Sequence, residues 1–162
     1  MFVLALCGLL PASMPVSGDT LATADRVVVR KSERRMYLLL DERVLATYKV
    51  SLGLNPDGPK EREGDFRTPE GEYHLGRRNF HSDYFLSIRI TYPNDRDVVR
   101  ARERGWRAGG SIMIHGLPNL PRHPSIYYES YDWTDGCIAL SNADMVDMWL
   151  LTRDDTPIAI EP

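Results

Sequence analysis

Cysteine is scarce in this chain: there are two in 162 residues, Cys7 and Cys137. So few exclude a disulfide-dense scaffold. Positive charge is not in excess either. Twenty Lys and Arg stand against 23 Asp and Glu, for a net charge of −3. The basic residues are scattered and interleaved with acids, so no nucleic-acid partner is expected. The apolar run Phe2 to Leu10 is far too short to span a bilayer. No repeat, low-complexity tract or internal linker is found after residue 25. His115, His123, Cys137 and Asp135 have no recognised zinc-ligand spacing, so neither a metal nor a cofactor is expected.

What the N-terminus does have is an order. The apolar run is followed by Pro11, Ser13, Pro15 and Gly18, then by Leu21-Ala22-Thr23-Ala24. That is the layout of a secretory signal, although no Lys or Arg precedes Leu10 to make a basic n-region. Residues 1–24 are therefore expected to be an atypical export segment, which implies a periplasmic or otherwise exported domain over 25–162. The plainer reading is an apolar terminus with no role. A lipid anchor on Cys7 fits poorly, because Leu6 stands where a small residue is needed. Once the segment is removed, Cys137 would be the sole thiol, which raises the question of what it does.

The remaining pattern is mainly β. Arg26–Val29, Arg35–Leu40 and Val44–Leu52 read as strands punctuated by Ser32-Glu33 and Asp41-Glu42, an antiparallel meander. Asn55 to Gly64 is a loop. Glu72–Gly76, Leu86–Thr91, Ser111–His115 and an edge strand at Pro157–Ile160 follow. Asn94 with Asp97 makes a capping box for a helix ending near Gly105. Ser141 with Asp144 starts a second helix, whose Met145, Met148 and Trp149 read as core packing. The expected fold is about eight short strands with two short peripheral helices.

Alternation puts Ile112 and Ile114 on one face of a strand and Met113 and His115 on the other. After it, Gly116 to Asp132 has no periodicity, and Pro118, Pro121 and Pro124 break any helix. Tyr127, Tyr128, Tyr131 and Trp133 make disorder a poor reading. A structured lid over a cleft is expected, the alternative being a loop packed down by its aromatics. Next comes Trp133-Thr134-Asp135-Gly136-Cys137-Ile138-Ala139-Leu140. Gly136 permits a close backbone approach beside the cysteine, and Ile138 and Leu140 anchor the segment. A thiol held in this way gains nucleophilicity from a neighbouring imidazole. His115 is the histidine placed at a strand end beside a glycine; His74, His81 and His123 are not. An inert buried cysteine is the competing reading.

Four segments together resemble the catalytic domain of L,D-transpeptidases of the YkuD type, over roughly residue 26 to the C-terminus. They are Arg35 to Leu40, Gly64-Asp65-Phe66-Arg67-Thr68-Pro69-Glu70-Gly71, Ile114-His115-Gly116, and Gly136-Cys137-Ile138 with Thr134 three before the cysteine. The resemblance implies a β-sandwich-like fold. It also implies that Cys137 attacks the diaminopimelate carbonyl of a peptidoglycan stem peptide. His115 would be the base, the Gly116 carbonyl would orient it, and backbone N–H groups around Gly136 and Cys137 would hold the oxyanion. Thr134, Asp135, Tyr128 and Trp133 would then be candidate substrate contacts. Within Gly64–Gly71, turn chemistry accounts for Thr68 and Pro69.

Two positions depart from the family pattern. Asp135 stands where a histidine is usual, and Ala139 where an arginine holding a substrate carboxylate is usual. Arg122 is a candidate to restore that function. With Ser82-Asp83-Tyr84-Phe85-Leu86, the cysteine motif resembles a Gram-negative subgroup that includes hydrolases releasing a peptidoglycan-linked outer-membrane lipoprotein. Hydrolysis is therefore expected to predominate, the alternative being cross-linking or protein attachment. A sortase-like enzyme would need an arginine on a strand after the cysteine, and Arg153 ends a predicted helix. A peptidoglycan-binding module without catalysis is the rival of a different class.

Overall fold

The computed structural model describes residues 21–162; residues 1–20, with Cys7 and most of the expected export segment, lie outside it. The described chain runs β1 (Arg26–Arg30), β2 (Arg35–Leu40), β3 (Arg43–Lys49), β4 (Gly71–Ser82), β5 (Phe85–Ile90), α1 (Asp95–Glu103), β6 (Met113–His115), α2 (Ser125–Ser130), β7 (Ile138–Ala139), α3 (Asn142–Leu151) and β8 (Pro157–Glu161).

β1, β2 and β3 form the expected antiparallel meander. Its second reversal places Asp41 and Glu42 at φ 50° and 62°, the left-handed pair that a tight hairpin requires. The strand order is β3-β2-β1-β8-β4-β5-β6-β7. β4 joins the two halves: its start pairs with β8 and the remainder with β5, with the register slipping between Leu75 and Arg78. Inward residues of both halves meet in one core. Val27, Val29, Met36 and Leu38 come from one side, Ile88, Ile90, Ile114 and Ile138 from the other, and Met145 and Met148 of α3 close it.

The eight strands match the expected count; three features differ. β8 is interior, parallel to β1 and antiparallel to β4. Pro157 is tolerated there because it is the first residue of the strand. β4 runs on to Ser82, well past the expected end at Gly76, and takes in His81. A third helix, α2, lies inside the segment read as irregular. The three prolines all precede it, and Pro124 occupies its N-cap, so they fix its start without entering it. Both expected caps are present. Asn94 and Asp97 make the full reciprocal box, and the Ser141 side chain accepts the Asp144 N–H at 3.1 Å.

The segment after β3 positions the site. It crosses to the other half, where Ser51 and Ala139 exchange backbone bonds of 2.9 and 2.8 Å. Gly53 bridges to Thr134. The cysteine segment is thereby held between Ser51–Gly53 on one side and β6 on the other.

Candidate active site

β6 and β7 are parallel, with Ile114 beside Ile138 and His115 beside Ala139. Continuing that register one residue back sets Cys137 beside Met113, two positions from His115 on the same face. At about 4.8 Å between strands and 3.3 Å per residue, their Cα atoms lie roughly 8 Å apart. Both line a cleft of about 730 Å³ together with Tyr84, Ser111, Trp133, Thr134 and Asp135. Ile112 and Ile114 are in the core, as the alternation requires.

The imidazole is fixed on three sides. Its Nδ1 lies 2.7 Å from the Gly116 carbonyl oxygen. Since a carbonyl only accepts, Nδ1 carries the proton and Nε2 keeps its lone pair. The Tyr84 ring lies 4.6 Å from it and the Trp133 ring 5.5 Å, the latter edge-on. Burial pushes the His115 pKa down to about 4, against a smaller upward pull from the Gly116 carbonyl. The Cys137 thiol is pushed up, by burial first; the Met113 backbone and Lys60 pull it down, and Asp135 adds to the rise. Both shifts favour the uncharged forms, so the cleft holds a neutral thiol and a neutral imidazole. The thiol also donates weakly to the Ser111 carbonyl, with sulfur and oxygen 3.7 Å apart.

The neutral histidine has a consequence for stability. Its pKa in the folded chain, about 4, lies below the ordinary 6.5. Its contribution is thus complete above pH 6.5 and is lost as pH falls toward 4, where the unfolded chain binds a proton that the folded chain refuses. At about 1.4 kcal/mol per pH unit the loss approaches about 3 kcal/mol. Thermal unfolding at pH 7 and pH 4.5 should show a steeper acid loss for the wild type than for His115→Gln. Parallel losses would contradict this.

Glycine is required where the cysteine is aimed. Gly136 has φ 126°, and a Cβ there would sit 2.6 Å from the Arg67 carbonyl oxygen. At Gly53 a Cβ would sit 2.1 Å from the Phe66 carbonyl oxygen. The Gly64–Gly71 segment is thus the bed on which the cysteine segment lies. Thr68 does more than shape a turn, because its buried hydroxyl accepts the Gly53 N–H at 3.0 Å. Asp65 anchors the segment from Lys60 Nζ and the N–H groups of Glu61, Arg62 and Arg67. Burial alone would raise its pKa, but those donors outweigh it and the net shift is downward.

The structure separates the other candidates. The Gly136 N–H donates to Thr134 Oγ1 at 3.1 Å, and that hydroxyl donates to the Cys137 carbonyl at 2.7 Å. Thr134 lines the cleft but spends its side chain on the turn, and Gly136 contributes space rather than a free donor. Asp135 and Trp133 line the cleft. Tyr128 does not. Its hydroxyl accepts the Arg122 N–H at 2.8 Å, its carbonyl accepts Trp133 Nε1 at 3.0 Å, and it lines a neighbouring cleft with Tyr127, Arg122 and His123. The expected lid is corrected accordingly. Residues 116–133 build the adjacent cleft, with only Trp133 reaching the thiol's, and Tyr131 lines neither. Packing of the tyrosines on one another, at 5.2 and 5.5 Å between rings, holds the segment down instead. Arg122 is likewise in the wrong cleft to replace an arginine at 139.

Sequence reasoning singled out neither Tyr84 nor Lys60 for the site. Tyr84 belongs to Ser82–Leu86, and nothing in that segment forecasts the contact of its ring with His115. That contact depends on the tight β4–β5 turn, where Phe85 has φ 62°.

The profile of the YkuD L,D-transpeptidase catalytic domain matches residues 24–160. The chain belongs to that family. YafK of Escherichia coli (strain K12) is 32% identical over 112 residues, 65% of this chain and 44% of YafK. The helical cell shape determining protein Pgp2 of Campylobacter jejuni is 31% identical with a TM-score of 0.63, over 84% of this chain and 46% of that one. Bd1075 of Bdellovibrio bacteriovorus is 25% identical with a TM-score of 0.56, over 94% and 53%. The chain thus spans about half the length of the relatives it matches. An L,D-transpeptidase of Mycobacterium smegmatis, 15% identical over 85% of this chain and 58% of that one, shares the fold with a TM-score of 0.55. The mainly β architecture is that of the family.

Proposed function

We propose that this domain is an exported cysteine enzyme that modifies peptidoglycan, acting at the diaminopimelate carbonyl of stem peptides through an acyl-enzyme on Cys137. One observation carries this reading: the Gly116 carbonyl holds the Nδ1–H of His115, leaving Nε2 as a base in the cleft that contains the thiol. As Cys137 Sγ attacks the carbonyl carbon, Nε2 takes the thiol proton, and the Cys137 N–H is the local donor assigned to the oxyanion. The C–N bond breaks when the imidazolium returns that proton to the departing amine, leaving a thioester. Water, deprotonated by the same Nε2, then attacks the thioester; the carboxylic acid leaves and the thiol is restored.

Hydrolysis rather than transfer is favoured by the walls of the cleft. A transferase must keep its thioester from water until an amine arrives, and the segment expected to cover the thiol lines the adjacent cleft instead. The leaving amine would belong to a stem peptide or to a peptidoglycan-linked outer-membrane lipoprotein. The test is a partition ratio: cleaved stem peptide against amine-transfer product over a range of added acceptor, by mass spectrometry. Hydrolysis should dominate at low acceptor; efficient transfer there would overturn the hydrolase assignment.

A further inference from the structure

Two buried lysines of this fold are treated differently. Lys31, 2% exposed, uses three acceptors: the Gly58 carbonyl at 2.6 Å, the Thr68 carbonyl at 3.1 Å and Glu70 at 2.8 Å. Its ammonium has three N–H donors and all are matched. Lys60 is equally buried, 3% exposed. Among the described residues its ammonium has one hydrogen-bond partner, Asp65 Oδ1 at 2.7 Å. Two donors on a buried charge are left over, an arrangement that costs free energy unless something meets them. Among the described residues, Lys60 is also the one Lys or Arg lining the cleft that holds Cys137 and His115, where Glu63 and Asp135 are the carboxylates. The expected cation at position 139 is replaced by buried Ala139, and Arg122 opens on the neighbouring cleft.

A cleft with one under-bonded ammonium and two carboxylates complements a ligand group that carries both charges, a carboxylate and an ammonium on one carbon. We propose that Lys60 is the specificity residue that binds the carboxylate of such a zwitterionic head on the acyl donor, with Glu63 and Asp135 supplying the field for its ammonium. Resting on the reading given above, that head is the free amino-acid end of the diaminopimelate side chain. Asp65 cannot take the ligand's place, since four donors already occupy its oxygens. It holds Lys60 at the wall and leaves the other two N–H groups for substrate. Asp65 and Lys60 sit in the Asn55–Gly71 stretch, clamped by Glu63 N–H to the Arg107 carbonyl at 2.8 Å, so the anchor is rigid.

The test reads binding apart from turnover, as protection of Cys137 from iodoacetamide. The probes are the tripeptide L-alanyl-γ-D-glutamyl-meso-diaminopimelate, its lysine counterpart lacking the carboxylate, and its 2-aminopimelate counterpart lacking the ammonium. A charge-assisted bond is worth about 1.5–3 kcal/mol, roughly a tenfold to hundredfold change in half-protecting concentration. Wild type should bind the diaminopimelate peptide that much more tightly than the lysine peptide, and less markedly more tightly than the 2-aminopimelate peptide. Lys60→Met should erase the first difference by weakening the diaminopimelate peptide alone, and Lys60→Arg should restore most of it. Equal weakening of both peptides, or none, would overturn the proposal by making Lys60 a strut for Asp65. If Lys60→Met fails to fold, the peptide comparison in wild type and Lys60→Arg decides. Selective protection without any turnover would sink the enzymatic reading and leave the site; turnover without selectivity would do the reverse.

Discussion

Cys137→Ala should lower turnover of a stem-peptide substrate by roughly 10⁴-fold or more, the scale on which removal of a nucleophile acts. The fold should survive it. The thiol's contact with the Ser111 carbonyl is long at 3.7 Å, and the backbone on both sides is held by other groups. Thr134 Oγ1 grips the Gly136 N–H and the Cys137 carbonyl, and Ala139 pairs with Ser51. The free energy of unfolding should therefore change by no more than about 1 kcal/mol. Turnover within tenfold of wild type would remove the thiol from the mechanism. A collapsed midpoint would instead make Cys137 a packing residue.

Gly136→Ala should damage both stability and rate. The new Cβ would meet the Arg67 carbonyl oxygen at 2.6 Å and Ile112 Cδ1 at 3.4 Å, from a backbone at φ 126°. Strained φ and overpacking together cost about 2–5 kcal/mol. Relief would move the adjacent thiol, and a shift of about 1 Å costs on the order of 10²-fold in rate. Gly64→Ala is the matched control. Gly64 also has positive φ, 75°, but a Cβ there meets nothing within 4 Å, so the loss should stay near 1–2 kcal/mol and the fall in rate should be much smaller than for Gly136→Ala. Equal behaviour of the two variants would mean that contact with Arg67 is irrelevant to aiming the cysteine.

The legible parts of this molecule were those set by local rules. Alternation placed His115 and Met113 on the cleft face and Ile112 and Ile114 in the core. Side-chain caps placed the starts of α1 and α3, and turn residues placed the meander. Parts set by distant segments were harder to read. β8 shows no mark of being interior, because its neighbours β1 and β4 lie about 130 and 85 residues away along the chain. α2, six residues long, is too short for a helical period. Tyr128 is a candidate substrate contact by its place in the expected lid, but its hydroxyl pins the N–H groups of Arg122 and His123. Lys60 sits in a loop of turn residues, and its role rests on a count of hydrogen bonds that only the folded chain supplies.

The central claim is that Cys137 forms a thioester with the stem peptide. Its most direct test is the intact mass of protein quenched in acid during turnover, followed by peptide mapping. The expected result is an adduct equal to the stem peptide up to and including its diaminopimelate residue, located on Cys137 and absent from Cys137→Ala. Turnover with no adduct at Cys137, or an adduct on another residue, would contradict the account.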